Sequence, residues 1–354
     1  MSAVTSPRTD PTDPTDPTDP TDPSCYHATL ATLLRQRSPG TDPALVLGAT
    51  AATDAERQNG WVAMHDVLPT LCETLTAWGH DVVRNPLAGS EGLDALFQAL
   101  RDGHPAMVIV DTFHLAHYWI DHGRVHAPHA VVLREYDPAE GTVRLTDPVD
   151  IVHFDDRVRV DALVPALSDD RVDLRWLMLR DGYAGRGAGP VRRSWAGRFL
   201  DYTEMLTGRE GSRLSGVELT DWLAGSMDDV LGVLPAMRRP ERASGEDPER
   251  DRVAGLLRGM WTYHHTLRWF GRHLTLAPDP EADGCPSLDA VAGAVERASQ
   301  DWLVTRALLV RSVILPDHER GKYRDEVLNR LGEVRAALTA AADVLRALGE
   351  EIEW

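Results

Sequence analysis

The sequence predicts an α+β region built on an antiparallel sheet, followed by an all-helical region. Three observations carry this expectation. Helical patterns at 24–36, 61–78 and 90–101 come first. Short apolar or alternating runs follow at 105–113, 129–137, 142–147, 151–154 and 173–180. Beyond residue 193 only helical periodicity is visible. Helices grouped ahead of strands, rather than alternating with them, indicate α+β.

The elements follow in order. Residues 7–23 read PRTDPTDPTDPTDPTDP, with no apolar side chain and a proline every third position. Such a segment has nothing to bury against the entropy of ordering, so residues 1–23 are expected to be a disordered tail. Ser24 is placed to cap a helix in SCYHATLATLLRQ, where Leu30, Leu33 and Leu34 share a face. Ser90, with Glu91 and Asp94 behind it, opens the helix at 90–101. PAMVIVDTF reads as a buried strand. HAVVLREYD and TVRLTD, joined by PAEG, read as a hairpin turned at Gly141. The Gly- and Arg-rich stretch near 183–193 is the expected linker between a first domain (24–182) and a helical domain (194–354). In the latter, Val327, Leu331, Val334, Leu338, Ala341, Leu345 and Leu348 recur at four–three spacing. Leu288, Val291, Val295, Ala298 and Trp302 repeat the pattern, as in a helical bundle.

Bulk properties narrow the function classes. The chain has 354 residues, long enough for two domains. With 55 acidic against 37 basic residues, its net charge of −18 argues against nucleic acid as a partner and permits a cationic small molecule. No run is long and apolar enough for a membrane span, and no apolar leader is visible, so a cytoplasmic protein without membrane association is expected. The three cysteines suggest no disulfide framework. There is no CxxC or HExxH motif and no glycine-rich phosphate loop, so neither a metal nor a bound cofactor is expected.

The chemistry-bearing residues are Cys25, His129 and Asp147. Cys25 falls in the first turn of its helix, where amides outside the helical ladder and the helix dipole stabilise a thiolate. His129 opens an apolar strand, a position from which an imidazole can face a cleft while the strand behind it is locked in the core. Asp147 ends the hairpin partner of that strand. The pairing brings the two side by side, so the carboxylate can accept from the imidazole and fix its tautomer. The remaining histidines of the cluster (His114, His117, His122 and His126) read as decoration of the loop between strands. Cys72 lies on a helix face with Leu68, Leu71 and Leu75 and reads as core. Cys285 sits in a Gly/Pro-rich loop.

CYHATLATLL, VIVDTFHLAHYW, HAVVLREYD and VRLTDP together resemble the N-terminal domain of the butirosin biosynthesis protein H family, within the papain-like superfamily. The resemblance spans residues 25–148. It implies a papain-like cysteine protease fold in 24–182. It also implies an acyltransferase of natural-product biosynthesis, antibiotic biosynthesis included. The acyl or aminoacyl group would pass from the thioester of an acyl carrier protein to a small-molecule amine acceptor. Phosphopantetheine would belong to the carrier, not to this chain. On that mapping Cys25 carries the acyl group, His129 moves protons and Asp147 orients it. The family's Asp-aromatic segment makes Asp111 a residue expected to line the site. The chain departs from papain-like peptidases in having the TDP tail where they carry an upstream glutamine. An oxyanion would then rest on the Cys25 amide plus a second donor, with His27, Tyr118 or another backbone amide as the alternatives. Two other readings of the same residues are a papain-like cysteine peptidase or amidase, and a non-catalytic binding module.

Overall fold

A computed structural model describes residues 24–87, 89–149, 152–180, 195–208, 213–238, 247–276 and 288–352. The TDP tail, the linker at 183–193 with Arg186, Arg192 and Arg193, and Cys285 lie outside the described residues. In chain order the elements are α1 (Cys25–Arg37), α2 (Ala44–Leu47), β1 (Ala55–Gln58), β2 (Trp61–Met64), α3 (Leu68–Ala77), β3 (Asp81–Pro86), α4 (Gly89–Arg101), β4 (Ala106–Asp111), β5 (Pro128–Asp137), β6 (Thr142–Asp147), β7 (Phe154–Arg159), α5 (Val160–Ser168) and β8 (Arg175–Arg180). They continue with α6 (Trp195–Thr207), α7 (Gly216–Gly225), α8 (Met227–Val233), α9 (Pro248–Leu276), α10 (Leu288–Ile314) and α11 (Arg324–Ile352). The class is α+β, with an antiparallel sheet ahead of a helical C-terminal region. No helix among the described residues is long and apolar enough to cross a membrane.

Two compact units divide the chain, and they are not contiguous. One comprises 1–41 and 81–182, the other 42–80 and 183–354. Residues 42–80, expected within 24–182, therefore group with the helical unit. Their local structure also differs from the helix read at 61–78. Asn59 and Gly60 both adopt positive φ (51° and 77°), the geometry of a tight hairpin turn, and Trp61–Met64 pairs with Ala55–Gln58 instead of coiling. A helix begins only at Leu68. Pro69 is tolerated in a first turn but not inside a helix, and the Asp66 carboxylate accepts from the Leu68 amide at 2.9 Å.

In the first unit six strands pair in the order β3-β8-β4-β5-β6-β7, every pairing antiparallel. β4 is buried along its whole length, which is why it reads as a continuous apolar run rather than an alternating one. Val108, Val110, Val131, Leu133, Val143 and Leu145 form a core with Leu96 and Leu100 of α4 and with Leu163, Ala166 and Leu167 of α5. α1 packs on β4 and β5, and Thr29 is anchored by donating to the Ala130 carbonyl at 3.1 Å. The β5–β6 hairpin turns at Gly141 (φ 65°) and carries a bulge between Arg134 and Asp137, where Glu135 takes φ 53°. The strand expected at 151–154 begins at Phe154 and runs to Arg159. β3, not foreseen, forms the sheet edge next to β8.

The second unit buries a continuous core around Trp302, Tyr263, Phe199 and Phe270. Both expected four–three stripes lie in it: Val327 to Leu348 on α11 and Leu288 to Trp302 on α10. α7 starts with a complete capping box between Ser215 and Glu218. The buried Tyr263 and Phe270 of α9 are core residues of this unit.

Candidate thiol site

Cys25 is the first residue of α1 and is partly exposed. The helical ladder begins with Ala28 N–H donating to the Ser24 carbonyl at 3.0 Å, so the amides of residues 25–27 stand ahead of it. Ser24 occupies the cap position but makes no side-chain cap bond. Its hydroxyl instead shares a 3.0 Å hydrogen bond with His27 Nδ1.

The sheet supplies the other two groups. Register pairs Val110 with His129, and Val132 with Thr146, so His129 at the start of β5 and Asp147 at the end of β6 lie at one end of the sheet. His129 Nε2 donates to Asp147 Oδ2 at 2.8 Å, and both groups are essentially inaccessible. Cys25 is near enough to His129 for its sulfur to raise the imidazole. With Nε2 committed to the carboxylate, Nδ1 is the ring nitrogen left to exchange a proton with the sulfur.

Burial alone would push the His129 imidazole down. The bond to Asp147, the nearby Cys25 sulfur and the negative charges of both outweigh it and raise the ring to about 10. Asp147 shows the same contest with the opposite sign. Burial raises it, but hydrogen bonds from His117 and His129, with the charges behind them, bring it down to about 2.

Tyr118 lies against His129, ring centroids 4.5 Å apart. Its hydroxyl is pushed up to about 12, chiefly by burial and then by the charges of Asp121, Cys25 and Asp147. His27 is fully buried, three residues past Ser24 on α1. Asp111 is placed differently. It is completely buried at the end of β4, its Oδ1 accepts from the Phe113 amide at 3.0 Å, and its Oδ2 accepts from His126 Nδ1 at 2.6 Å.

The loop histidines are more than decoration. His117 Nε2 donates to the same Asp147 oxygen that holds His129, at 3.1 Å, and its ring stacks on Phe154 at 4.4 Å. His114 and His126 pair with Asp169 and Asp111. A signal for this was present in the spacing. His114 and His117 are three apart, as are His126 and His129, and in each pair one ring reaches Asp147 while the other reaches the Asp111–Asp169 group.

The arrangement can hold a sulfur nucleophile beside a charged imidazole and move one proton between them, with a buried carboxylate fixing the ring. No protein-family model matches the chain, and no curated protein matches it.

Proposed function

We propose that this protein is a cysteine acyltransferase that takes an acyl or aminoacyl group from a thioester and passes it to an amine through an acyl-enzyme on Cys25. The observation that carries the reading is a cysteine at a helix N-terminus that acts on the His129 imidazole, with the buried Asp147 carboxylate holding that ring at 2.8 Å. The sequence resemblance to the butirosin biosynthesis protein H family supports transfer over hydrolysis, and with it a papain-like fold for the first unit. It also makes an acyl carrier protein the donor.

The steps follow from the residues. The Cys25 sulfur, as thiolate, attacks the thioester carbonyl carbon. The oxyanion that forms is met by amides at the start of α1. The C–S bond of the donor breaks, and the departing thiolate takes a proton from the His129 imidazolium. An amine then attacks the Cys25 thioester. Neutral His129 accepts the amine proton, Cys25 leaves as thiolate, and an amide is released. Asp147 keeps the imidazole in the tautomer that presents Nδ1 to both steps.

The test is intact mass after incubation with aminoacyl thioesters, first as small N-acetylcysteamine esters and then on a carrier protein. A covalent adduct on the wild-type chain, absent in Cys25→Ala and discharged by an added polyamine with formation of its amide, is the expected result. Discharge to free acid alone, at a rate no amine changes, would move the reading to a hydrolase.

A further inference from the structure

The geometry points to a second site in the first unit: Asp111, His114, His126 and Asp169 form a binding site for one divalent transition-metal ion, with zinc the best chemical match. Each residue offers one ligand atom, and the four atoms lie within 4.8 Å of one another. They come from three segments: the end of β4, the loop that leads into β5, and the residue that follows α5. Two imidazole nitrogens and two carboxylate oxygens suit zinc and its first-row neighbours better than calcium or magnesium, which prefer oxygen throughout.

The distances are compatible with a four-coordinate centre. Zinc–nitrogen and zinc–oxygen bonds of about 2.0–2.2 Å put tetrahedral ligand atoms about 3.4 Å apart. His126 Nδ1 to Asp111 Oδ2 is 2.6 Å, His114 Nε2 to Asp169 Oδ2 is 2.8 Å, and His126 Nδ1 to Asp169 Oδ2 is 4.0 Å. The two close pairs would open by about 0.6–0.8 Å and the wider separations, up to 4.8 Å, would close by at most about 1.4 Å, with the ion taking the place of the protons now shared.

The ligands are also held by groups that would not touch the metal. Asp111 Oδ1 is fixed by the Phe113 amide at 3.0 Å. Asp169 Oδ1 accepts from the Arg171 amide at 3.0 Å and from Arg171 Nε at 2.9 Å, while its Oδ2, the oxygen turned to the two imidazoles, also accepts from Arg171 Nη2 at 2.7 Å, a bond the ion would have to share or displace. Phe113 stacks on the His126 ring at 4.1 Å and meets His114 edge-on at 5.1 Å, and Arg171 covers the Phe113 face. Outer hydrogen bonds and an apolar wall are what orient metal ligands before the ion arrives. A metal here would close the loop of residues 112–127, which carries His117 and Tyr118 to the thiol site. It would act as a structural clamp for that loop, and its existence does not depend on the acyl-transfer reading.

The test uses the full, tag-free chain carrying Cys25→Ser, so that the thiol site cannot supply the binding, stripped with chelator. Calorimetric titration with Zn²⁺ is expected to show one ion per chain at micromolar affinity or better, with a rise in melting temperature. Co²⁺ is expected to give visible d–d bands without a sulfur charge-transfer band. His126→Gln and His114→Gln, each checked by circular dichroism, are expected to weaken binding at least tenfold. His114 is the more exposed ring, so its variant stands if the other misfolds. Substoichiometric binding, or affinity unchanged in the folded variants, overturns the proposal.

Discussion

Asp147→Asn is the perturbation that discriminates most sharply, because one carboxylate oxygen serves both His129 and His117. Asparagine keeps the shape and an acceptor oxygen but removes the charge. Burial is the largest influence on His129, and it lowers the ring. Without the carboxylate it is opposed only by Cys25, and the imidazole should fall from about 10 towards or below its ordinary 6.5. At pH 7.5 the imidazolium fraction would drop from nearly all to under about a tenth, since each unit is a factor of ten. The assay is the rate of iodoacetamide alkylation at Cys25, resolved by peptide mass so that Cys72 and Cys285 do not contribute. We expect at least about a tenfold loss at pH 7.5 relative to wild type. Stability should respond too. A ring raised in the folded state contributes fully below about pH 6.5, and that contribution is lost as the pH climbs towards about 10. The wild type should therefore lose resistance to urea over that window, and the variant should show a flatter profile. Equal alkylation rates in two well-folded proteins would refute the reasoning and detach Asp147 from the sulfur.

Three further outcomes concern the helical unit. Asp54 is raised to about 6, mainly by burial, although Thr70 and Arg213 pull it the other way. Its ionisation therefore costs stability above about pH 6. Asp54→Asn, which suits the positive φ of 49° there, should stabilise the protein by about 1–2 kcal/mol at pH 8, with the gain vanishing near pH 4 in urea titrations. His273 is lowered to about 4 by burial. Its Nδ1 donates to the Leu45 carbonyl at 3.1 Å, and its Nε2 then accepts from the Tyr202 hydroxyl at 2.8 Å. Stability should fall by up to about 3 kcal/mol as pH drops from 6.5 to 4, and His273→Gln should blunt that slope. Gly48→Ala would drive a Cβ into the Trp269 carbonyl oxygen, which is backbone and cannot swing aside, and calorimetry should show a lower melting temperature.

The fold class and the thiol group were legible for the same reason: both rest on short-range pattern. The His129–Asp147 pairing needed only the hairpin and its glycine turn, and α1 needed only its leucines and a break in composition at Ser24. What was lost depended on longer range. Residues 42–80 group with the helical unit because of the partners they find, which local periodicity does not encode. The helix expected at 61–78 failed on signals that were present, Asn59–Gly60 and Pro69, which outrank apolar spacing. The three-residue spacing of His114 and His117 is visible in the sequence, but a loop histidine gains its role only from the carboxylate it meets, here Asp147. The family resemblance makes Asp111 an expected lining residue of the thiol site, and what the sequence does not show is that its two oxygens are taken by the Phe113 amide and His126.

The proposed reaction asks His129 to be an acid in its first half and a base in its second, and the environment of the ring suggests how it changes role. Three influences set it: burial, which lowers it, and Asp147 and Cys25, which raise it. Acylation turns the sulfur into an uncharged thioester, and with that the Cys25 contribution disappears while burial and Asp147 remain. The ring should then hold its proton less firmly, in the state where the departing thiol has just removed one and an amine must next surrender its own. Carboxamidomethylated Cys25 is a stable mimic of that neutral sulfur. In ring-nitrogen NMR titrations of the alkylated protein, His129 should titrate below the value of the free enzyme, by on the order of one unit. His273, a residue of the helical unit, serves as the internal reference. A His129 midpoint that stays where it was would mean that the sulfur has no hold on the ring. The proton traffic drawn between them would then have to be abandoned.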